Sequence, residues 1–364
     1  MALHTGSHTV NHTKDHMEDR VARQQREHTV DLVGSHMRTQ QATQPACLLE
    51  TQTGTRQDTH MSVTYEGLKR VVCIANGKGG VSKTSLTANL GGLAAAAGYR
   101  TLLVDLDPQG DLRDDLGYWD NPDDDHGRGL AAAFVTGTAL RPSIRDVRPG
   151  LDIITGGEEL SDVAGVLLSR TSRGASTRDL LAKALAPVAA DYDLVLIDTP
   201  PVDVNLQVLA LAASRWLLVP TKADASSIRA IARIAERLVE ARSDEHPLDI
   251  LGVVLTGVPT AATRVKADAE ADIRSVLGNA GVLFDRMIRS SDAVAREARE
   301  RGLLVHELAE KVEGADPFWK SLRDGSTPQR LPGSAPALAD DYVRVTEQVF
   351  KRISELEDEM TGAA

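Results

Sequence analysis

The 364-residue chain predicts an α/β fold: a doubly wound, mainly parallel sheet with helices on both faces. Three observations carry this. Short apolar, β-branched runs alternate with longer helix-patterned stretches through most of the chain, the signature of βα units. The first run, 70–76, opens into a glycine-rich turn that leads to a helix-forming segment at 83–97. Two further apolar runs end on aspartate, at Asp105 and Asp198. In open sheets of this kind, ligands bind beyond the carboxyl ends of the strands.

In order, strands are predicted at 70–76, 101–105, 151–155, 192–198, 215–220, 249–255 and 282–287. Helices are predicted at 83–97, 127–135, 159–170, 176–190, 205–213, 225–242, 263–278 and 291–301. The run 70–76 is apolar and β-branched, as a buried parallel strand requires. Gly98 is a natural stop for the helix before it. Gly91, Gly92 and the alanines at 94–97 leave that helix a thin face for close packing on a sheet. The polar, turn-rich stretch 121–128 reads as a surface loop. The alternation of strand and helix makes the sheet mainly parallel.

The predicted organisation has four parts. Residues 1–64 hold seven of the ten histidines, many Thr and Gln and few large apolar residues. They read as a disordered extension. Met61 is a candidate true start, and Gly34-Ser-His-Met37 resembles a cloning remnant. His4, His8, His12 and His16 recur every four residues; scattered tail histidines are favoured over a helical metal site. Residues 65–325 form the enzyme-like core. A Pro-rich linker, 326–336, carries Pro328, Pro332 and Pro336. The last part, 337–364, holds an amphipathic helix with Tyr342, Val345, Val349, Ile353 and Leu356 on one face. Packing on the core is its expected role. Glu347, Glu355, Glu357, Asp358 and Glu359 leave it no basic face for a membrane.

Composition narrows the compartment and the partners. Cys47 and Cys73 are the two cysteines, one in the polar tail and one in a buried strand, so no disulfide framework is implied. No run approaches the ~18 apolar residues of a membrane span, and the polar N-terminus does not resemble a signal peptide. A cytoplasmic location is expected. The net charge of −11 repels nucleic acid, so any DNA contact needs a local basic patch and is salt-sensitive. Aromatic residues are 3% of the chain, too few for base-stacking recognition of single strands.

The segment 71–85, Val-Val-Cys-Ile-Ala-Asn-Gly-Lys-Gly-Gly-Val-Ser-Lys-Thr-Ser, carries the chemistry. Gly77, Gly79 and Gly80 let backbone N–H groups converge on an anion. The following helix points its N-terminus at the same place. In such a loop Lys83 binds the β- and γ-phosphates of a nucleotide and the Thr84 hydroxyl ligates Mg²⁺. One position departs from G-x-x-x-x-G-K-[ST]: Ser82 stands where the pattern has glycine. Serine is small and keeps its N–H, so the loop is expected to survive. A glycine-rich turn without a ligand is the bland alternative.

Lys78-Gly-Gly-Val-Ser-Lys-Thr84 resembles the deviant Walker A motif, K-G-G-x-[GS]-K-[ST], of the ParA/MinD ATPases. Within that family it looks closest to the ParA-type, Soj-like DNA-partitioning proteins. Thr101-Leu-Leu-Val-Asp-Leu-Asp-Pro-Gln-Gly110 resembles the second strand and its switch. Asp191-Tyr-Asp-Leu-Val-Leu-Ile-Asp-Thr-Pro-Pro201 resembles the Walker B strand and second switch, and Trp216-Leu-Leu-Val-Pro-Thr221 the strand after it. The resemblance implies a P-loop fold and ATP and Mg²⁺ as cofactors. It assigns ATP to Lys78, Gly79, Gly80, Val81, Ser82, Lys83, Thr84 and Ser85. It assigns the metal to Thr84 and Asp198, with Asp105 in support, and the attacking water to Asp107. Turn formation is the alternative for both Asp105 and Asp107. Lys78 is implied to cross a homodimer interface to the partner's phosphates, as an arginine finger does.

The same resemblance implies ATP-driven dimerisation, non-specific double-stranded DNA binding by the dimer, and hydrolysis stimulated by a ParB-like centromere-binding protein. Location would be cytoplasmic and nucleoid-associated, with no membrane. Arg264, Arg289 and Arg296 are the candidate DNA contacts, with Lys266 and Arg299 as neighbours; ordinary charges paired with Glu297, Glu300 and Asp292 are the alternative. A rival from another class is an ATPase that positions a protein or envelope cargo. An iron–sulfur relative is set aside because neither cysteine follows a switch strand. A dead adaptor conflicts with Lys78, Lys83, Thr84, Asp107 and Asp198 together.

Overall fold

The structure is a computed structural model. It describes residues 65–174, 176–242, 247–259, 263–278, 283–315, 323 and 331–362. The extension 1–64 and residues 326–330 of the linker 326–336 lie outside the described residues.

The order begins with β1 (Val71–Ile74), α1 (Lys83–Ala96), β2 (Thr101–Asp105), α2 (Leu112–Leu116), α3 (Arg128–Thr136), β3 (Ile144–Arg148) and β4 (Leu151–Ile154). It continues with α4 (Val163–Ser172), α5 (Leu180–Ala189), β5 (Leu194–Asp198), α6 (Val204–Ala212), β6 (Trp216–Thr221), α7 (Ala225–Ala241) and β7 (Asp249–Val258). It closes with α8 (Thr263–Leu277), β8 (Ile288–Arg289), α9 (Asp292–Arg301), α10 (Val305–Glu313) and α11 (Ala335–Gly362). Among the described residues, the sheet has eight strands in the order β3-β4-β2-β5-β1-β6-β7-β8. All neighbours are parallel except β3 and β4. The predicted doubly wound, mainly parallel sheet is therefore present.

The central strands have both faces covered, which is why they read as continuous apolar runs. Every residue of β1, β2, β5 and β6 is buried. Each such Leu, Ile or Val contributes about 1.5–3 kcal/mol through burial. Cys73 is fully buried on β1 and burial pushes its thiol well up, so it serves packing rather than chemistry. Gly91 explains the thin face of α1: a Cβ there would stand 2.6 Å from Leu103 Cδ2.

Several predicted elements need correction. Where a strand was expected at 282–287 the described residues form a single bridge, between Val253 and Leu283, and the short β8 follows. The helix expected at 159–170 is a 3-10 turn, Glu158–Leu160, followed by α4. The helix expected from 176 starts at Leu180. β3 escaped the sequence reading because it is an antiparallel edge strand of Arg145, Asp146 and Arg148 with one buried residue, Ile144. α2 is too short to show a period, and α10 follows α9 after a break at Gly302.

The described residues up to Val349 belong to one compact unit. In it, Leu338, Tyr342, Val345 and Val349 of α11 are buried. Pro336 sits in the first turn of α11, where its missing N–H costs no intrahelical bond. Residues 350–362 continue that helix within a second unit. Among the described residues, no helix is long and apolar enough to cross a membrane.

Candidate functional site

The strand order sets the site. At the carboxyl edge, β2, β5, β1 and β6 lie side by side, so Asp105, Asp198, the 75–82 loop and the 222–224 turn share one end of the sheet. The register places Asp198 opposite both Asp105 and Ile74. Sequence reasoning expected these groups beyond the strand ends, and the topology brings them together.

The loop is built from its own side chains. Asn76 donates through Nδ2 to Pro220 O at 2.8 Å and accepts from Lys78 N at 3.0 Å. It thus pins the loop's entry to the neighbouring strand. Gly80 (φ 70°) and Ser82 (φ 62°, ψ 32°) both take left-handed backbone. This is the physical reason the general pattern has glycine at the position of Ser82. Ser82 O then accepts from Leu86 N at 2.9 Å and α1 begins. Lys83 is 6% exposed and donates to Lys78 O at 3.4 Å. Burial lowers its pKa, while Asp198 and Asp107 favour its charge.

Asp198 and Asp107 lie near that buried lysine, and Asp105 stands next to Asp198. Asp198 is fully buried and neither of its oxygens has a hydrogen bond of full geometry. Burial pushes its pKa up to about 7, against the nearby Thr84 hydroxyl and the Lys83 ammonium. Asp105 accepts from Asp107 N at 2.9 Å through Oδ1, and its buried Oδ2 is unpartnered. Burial and the Asp198 charge raise its pKa well above the carboxylate range. Gly156 closes over it, since a Cβ there would stand 2.7 Å from Asp105 Cγ. Asp107 is 7% exposed and accepts from Gln109 N at 3.0 Å. Burial raises its pKa too, although Lys83 opposes this.

Buried carboxylate oxygens without partners call for a proton or a cation. Asp198 Oδ1, Asp198 Oδ2 and Asp105 Oδ2 are three such atoms at one place. A triphosphate brought to the loop adds more negative charge than Lys83 can balance. A hard divalent cation on oxygen ligands removes that imbalance, and Mg²⁺ fits this donor set. Thr84 and Asp198 would hold it, with Asp105 behind them.

Lys78 lies elsewhere. Its Nζ donates to Asp224 Oδ1 at 2.9 Å, to Asp224 Oδ2 at 3.0 Å and to Ser227 Oγ at 3.0 Å, all in the same chain. Asp224 also caps α7, accepting from Ser226 N and Ser227 N at 3.0 Å. Hydrogen bonds from Ser226, Lys78 and Ser227 hold its pKa well below the usual range. Sequence reasoning missed Asp224, although Asp-Ala-Ser-Ser after a strand is a helix-cap signal. It also assigned Ser85 to the nucleotide. The Ser85 hydroxyl donates to Asp115, at 3.3 Å to Oδ1 and 3.4 Å to Oδ2, which leaves its backbone N–H for an anion.

The candidate DNA contacts do not form one free cluster. Arg289 is engaged with Asp341 through Nε at 2.5 Å, Nη2 at 2.8 Å and its backbone N at 3.0 Å. Arg299 is paired with the buried Asp115 at 3.0 Å, and Lys266 with Asp285 at 3.1 Å. Arg296 is exposed on α9. The side chain of Arg264 lies outside the described residues.

The model of a family described as an AAA domain matches residues 69–249. The chain is 30% identical over 262 residues to the chromosome partitioning protein ParA of Caulobacter vibrioides, covering 70% of this chain and 93% of that protein. It is 32% identical over 210 residues to the chromosome-partitioning ATPase Soj of Thermus thermophilus, covering 57% of this chain and 77% of that one. A solved structure, the ATP complex of a Cyanothece McdA variant, shares the fold with a TM-score of 0.56 at 22% identity, covering 77% of this chain and 96% of that chain. The lysine-bearing phosphate loop, the aspartates at the ends of β2 and β5 and this extent of likeness place the chain in the ParA/MinD family of deviant Walker A ATPases.

Proposed function

We propose that the protein is an ATP-dependent DNA-partitioning ATPase of the ParA type. The observation that carries this reading is the pair of buried carboxyl groups Asp198 and Asp105, with three oxygens lacking a full hydrogen bond, and Lys83 close to Asp198. Backbone N–H groups of residues 79–85 bind the phosphates, and Lys83 neutralises charge on them. Bound Mg²⁺ supplies Lewis-acid stabilisation of the charge that develops on the transferred phosphoryl group. Asp107 accepts a hydrogen bond from the attacking water and orients it. Lys78 leaves Asp224 and reaches the nucleotide of a second copy, so hydrolysis needs a homodimer.

The ATP-bound dimer binds double-stranded DNA without sequence preference. A ParB-like partner stimulates hydrolysis and returns the protein to a monomer, which releases DNA. The γ-phosphate shifts this equilibrium because the switch loops and Lys78 contact it in one state only. The protein works in the cytoplasm on the nucleoid. The likeness to chromosome-partitioning relatives supports DNA as the cargo track. Co-sedimentation with DNA under ATP, ADP or no nucleotide tests the reading. ATP-only retention that falls with salt is expected. ATP-driven dimers that never retain DNA would sink it and favour a protein-positioning ATPase.

A further inference from the structure

We propose that Gln207, Arg237 and Arg233 are positioning residues that tie the loop after β5 to the phosphate loop. The kinetic consequence rests on the ATPase reading above; the tether itself does not.

Gln207 is the one polar side chain among the buried residues of α6. A buried carboxamide is costly unless its groups are paired. Here Nε2 donates to Pro200 O, and Oε1 accepts from Arg237 Nη1. Pro200 has no N–H, so its carbonyl is the only backbone group by which the loop can be held at that residue. Pro200 stands two residues beyond Asp198, on a loop whose Val202 is 79% exposed. Thr199 Oγ1 anchors the start of that loop to Ile74 O at 2.9 Å. Gln207 anchors the next residue from the other side.

The second half of the tether is on α7. Arg233, one turn before Arg237, donates through Nη2 to Gly77 O at 3.3 Å. A Cβ on Gly77 would meet Arg233 Nε at 3.4 Å and Arg237 Nη1 at 3.6 Å. Both guanidiniums therefore flank the first glycine of the phosphate loop. Among the described residues, neither forms an ion pair with a carboxylate. Two like charges one turn apart repel each other modestly. Burial and Arg233 disfavour charge on Arg237, and Glu236, Glu240 and Asp203 nearby favour it. The chain Pro200–Gln207–Arg237, with Arg233 beside it on Gly77, fixes the height of the Asp198 loop against the phosphate loop.

Gln207→Leu keeps the volume and removes both bonds. We expect kcat to fall roughly 10- to 100-fold, with KM for ATP changed less than about 3-fold, as for a misplaced reacting geometry. Amide hydrogen exchange over residues 199–206 in the nucleotide-free protein should rise by about 10-fold or more. Arg237→Met should reproduce both effects, and Arg237→Lys should recover part of kcat. Arg237 is only partly buried, so Arg237→Met carries the test if Gln207→Leu does not fold. Exchange and kcat both within about 2-fold of the parent would overturn the tether. A parent without ATPase activity would remove the catalytic reading, while the exchange measurement would still decide the tether.

Discussion

Lys78 Nζ stands 2.9 Å from Asp224 Oδ1 and 3.0 Å from Asp224 Oδ2 within a single chain. In the dimer proposed above, the same ammonium acts on a second copy. The lysine is therefore held at home by a carboxylate that also caps α7. An ion pair with Lys78 31% exposed and Asp224 42% exposed is weak, on the order of 0.2–1 kcal/mol. It can delay the trans contact without preventing it. Asp224→Asn keeps the cap but removes the opposing charge. The expected result is an ATP-bound dimer about 2- to 30-fold tighter, since two lysines are released per dimer. Light scattering across a dilution series with a slowly hydrolysed ATP analogue measures this. A weaker dimer in the variant would mean that Asp224 helps the assembled state.

Ser82 holds left-handed backbone at φ 62° and ψ 32°. For an L-residue this costs about 1–2 kcal/mol. Ser82→Gly removes the strain, and glycine's extra freedom in the unfolded chain offsets about 0.5–1 kcal/mol of the gain. The variant should melt at the parent's temperature or up to roughly 4 °C higher, with ATP affinity retained. Ser82→Val places a β-branched residue in the same backbone and should weaken ATP binding by about 10-fold or more. Calorimetry and nucleotide titration check the pair. A Ser82→Gly protein that melts several degrees lower would show that the hydroxyl, not the backbone, governs this position.

The parallel sheet and the loop were legible because their residues announce their surroundings. β1, β2 and β5 are buried on both faces, so they read as unbroken apolar runs, and the loop glycines sit where the backbone turns. β3 was not legible, since an edge strand bearing Arg145, Asp146 and Arg148 looks like a loop. Long-range pairings left no local signal either. Nothing near Lys78 points to Asp224, which is 146 positions away. Gln207 reads as an ordinary polar residue until Pro200 and Arg237 are seen on either side of it. Arg289 looked free for the same reason: its partner, Asp341, belongs to α11.

Asp198 makes stability fall with pH in the metal-free protein. Its folded pKa, about 7, lies above the ordinary carboxylate value of about 3.9. The folded state therefore holds a proton that the unfolded state has lost. Its favourable contribution is complete below about pH 4 and disappears as pH rises through about 7. Asp105 adds in the same direction, because burial and Asp198 raise it as well. Asp198→Asn should flatten the decline in melting temperature between about pH 5 and 8, and should melt above the parent at pH 8 without nucleotide. It should also lose the stabilisation that Mg²⁺ and ATP give the parent. Parallel melting curves of parent and variant would discard this account of Asp198 if the parent's stability rose toward pH 8 and the variant's did the same.

Arg289 and Arg296 should separate stability from DNA binding. Arg289 makes a bidentate pair with Asp341, which is 12% exposed. Arg289→Ala strands that carboxylate and should cost roughly 1–3 kcal/mol of stability. Arg296 is exposed on α9, so Arg296→Ala should leave the melting temperature within about 1 °C of the parent. If α9 faces DNA in the dimer, Arg296→Ala should weaken ATP-dependent binding about 3- to 10-fold. It should also lower the slope of log affinity against log salt by about 1 for each phosphate that is no longer neutralised. Fluorescence anisotropy at several salt concentrations measures both quantities. The outcome that removes α9 from the DNA face is an unchanged salt slope in Arg296→Ala. Weak binding in Arg289→Ala alone, in step with its lower melting temperature, would then trace the effect of Arg289 to its pair with Asp341 rather than to a phosphate.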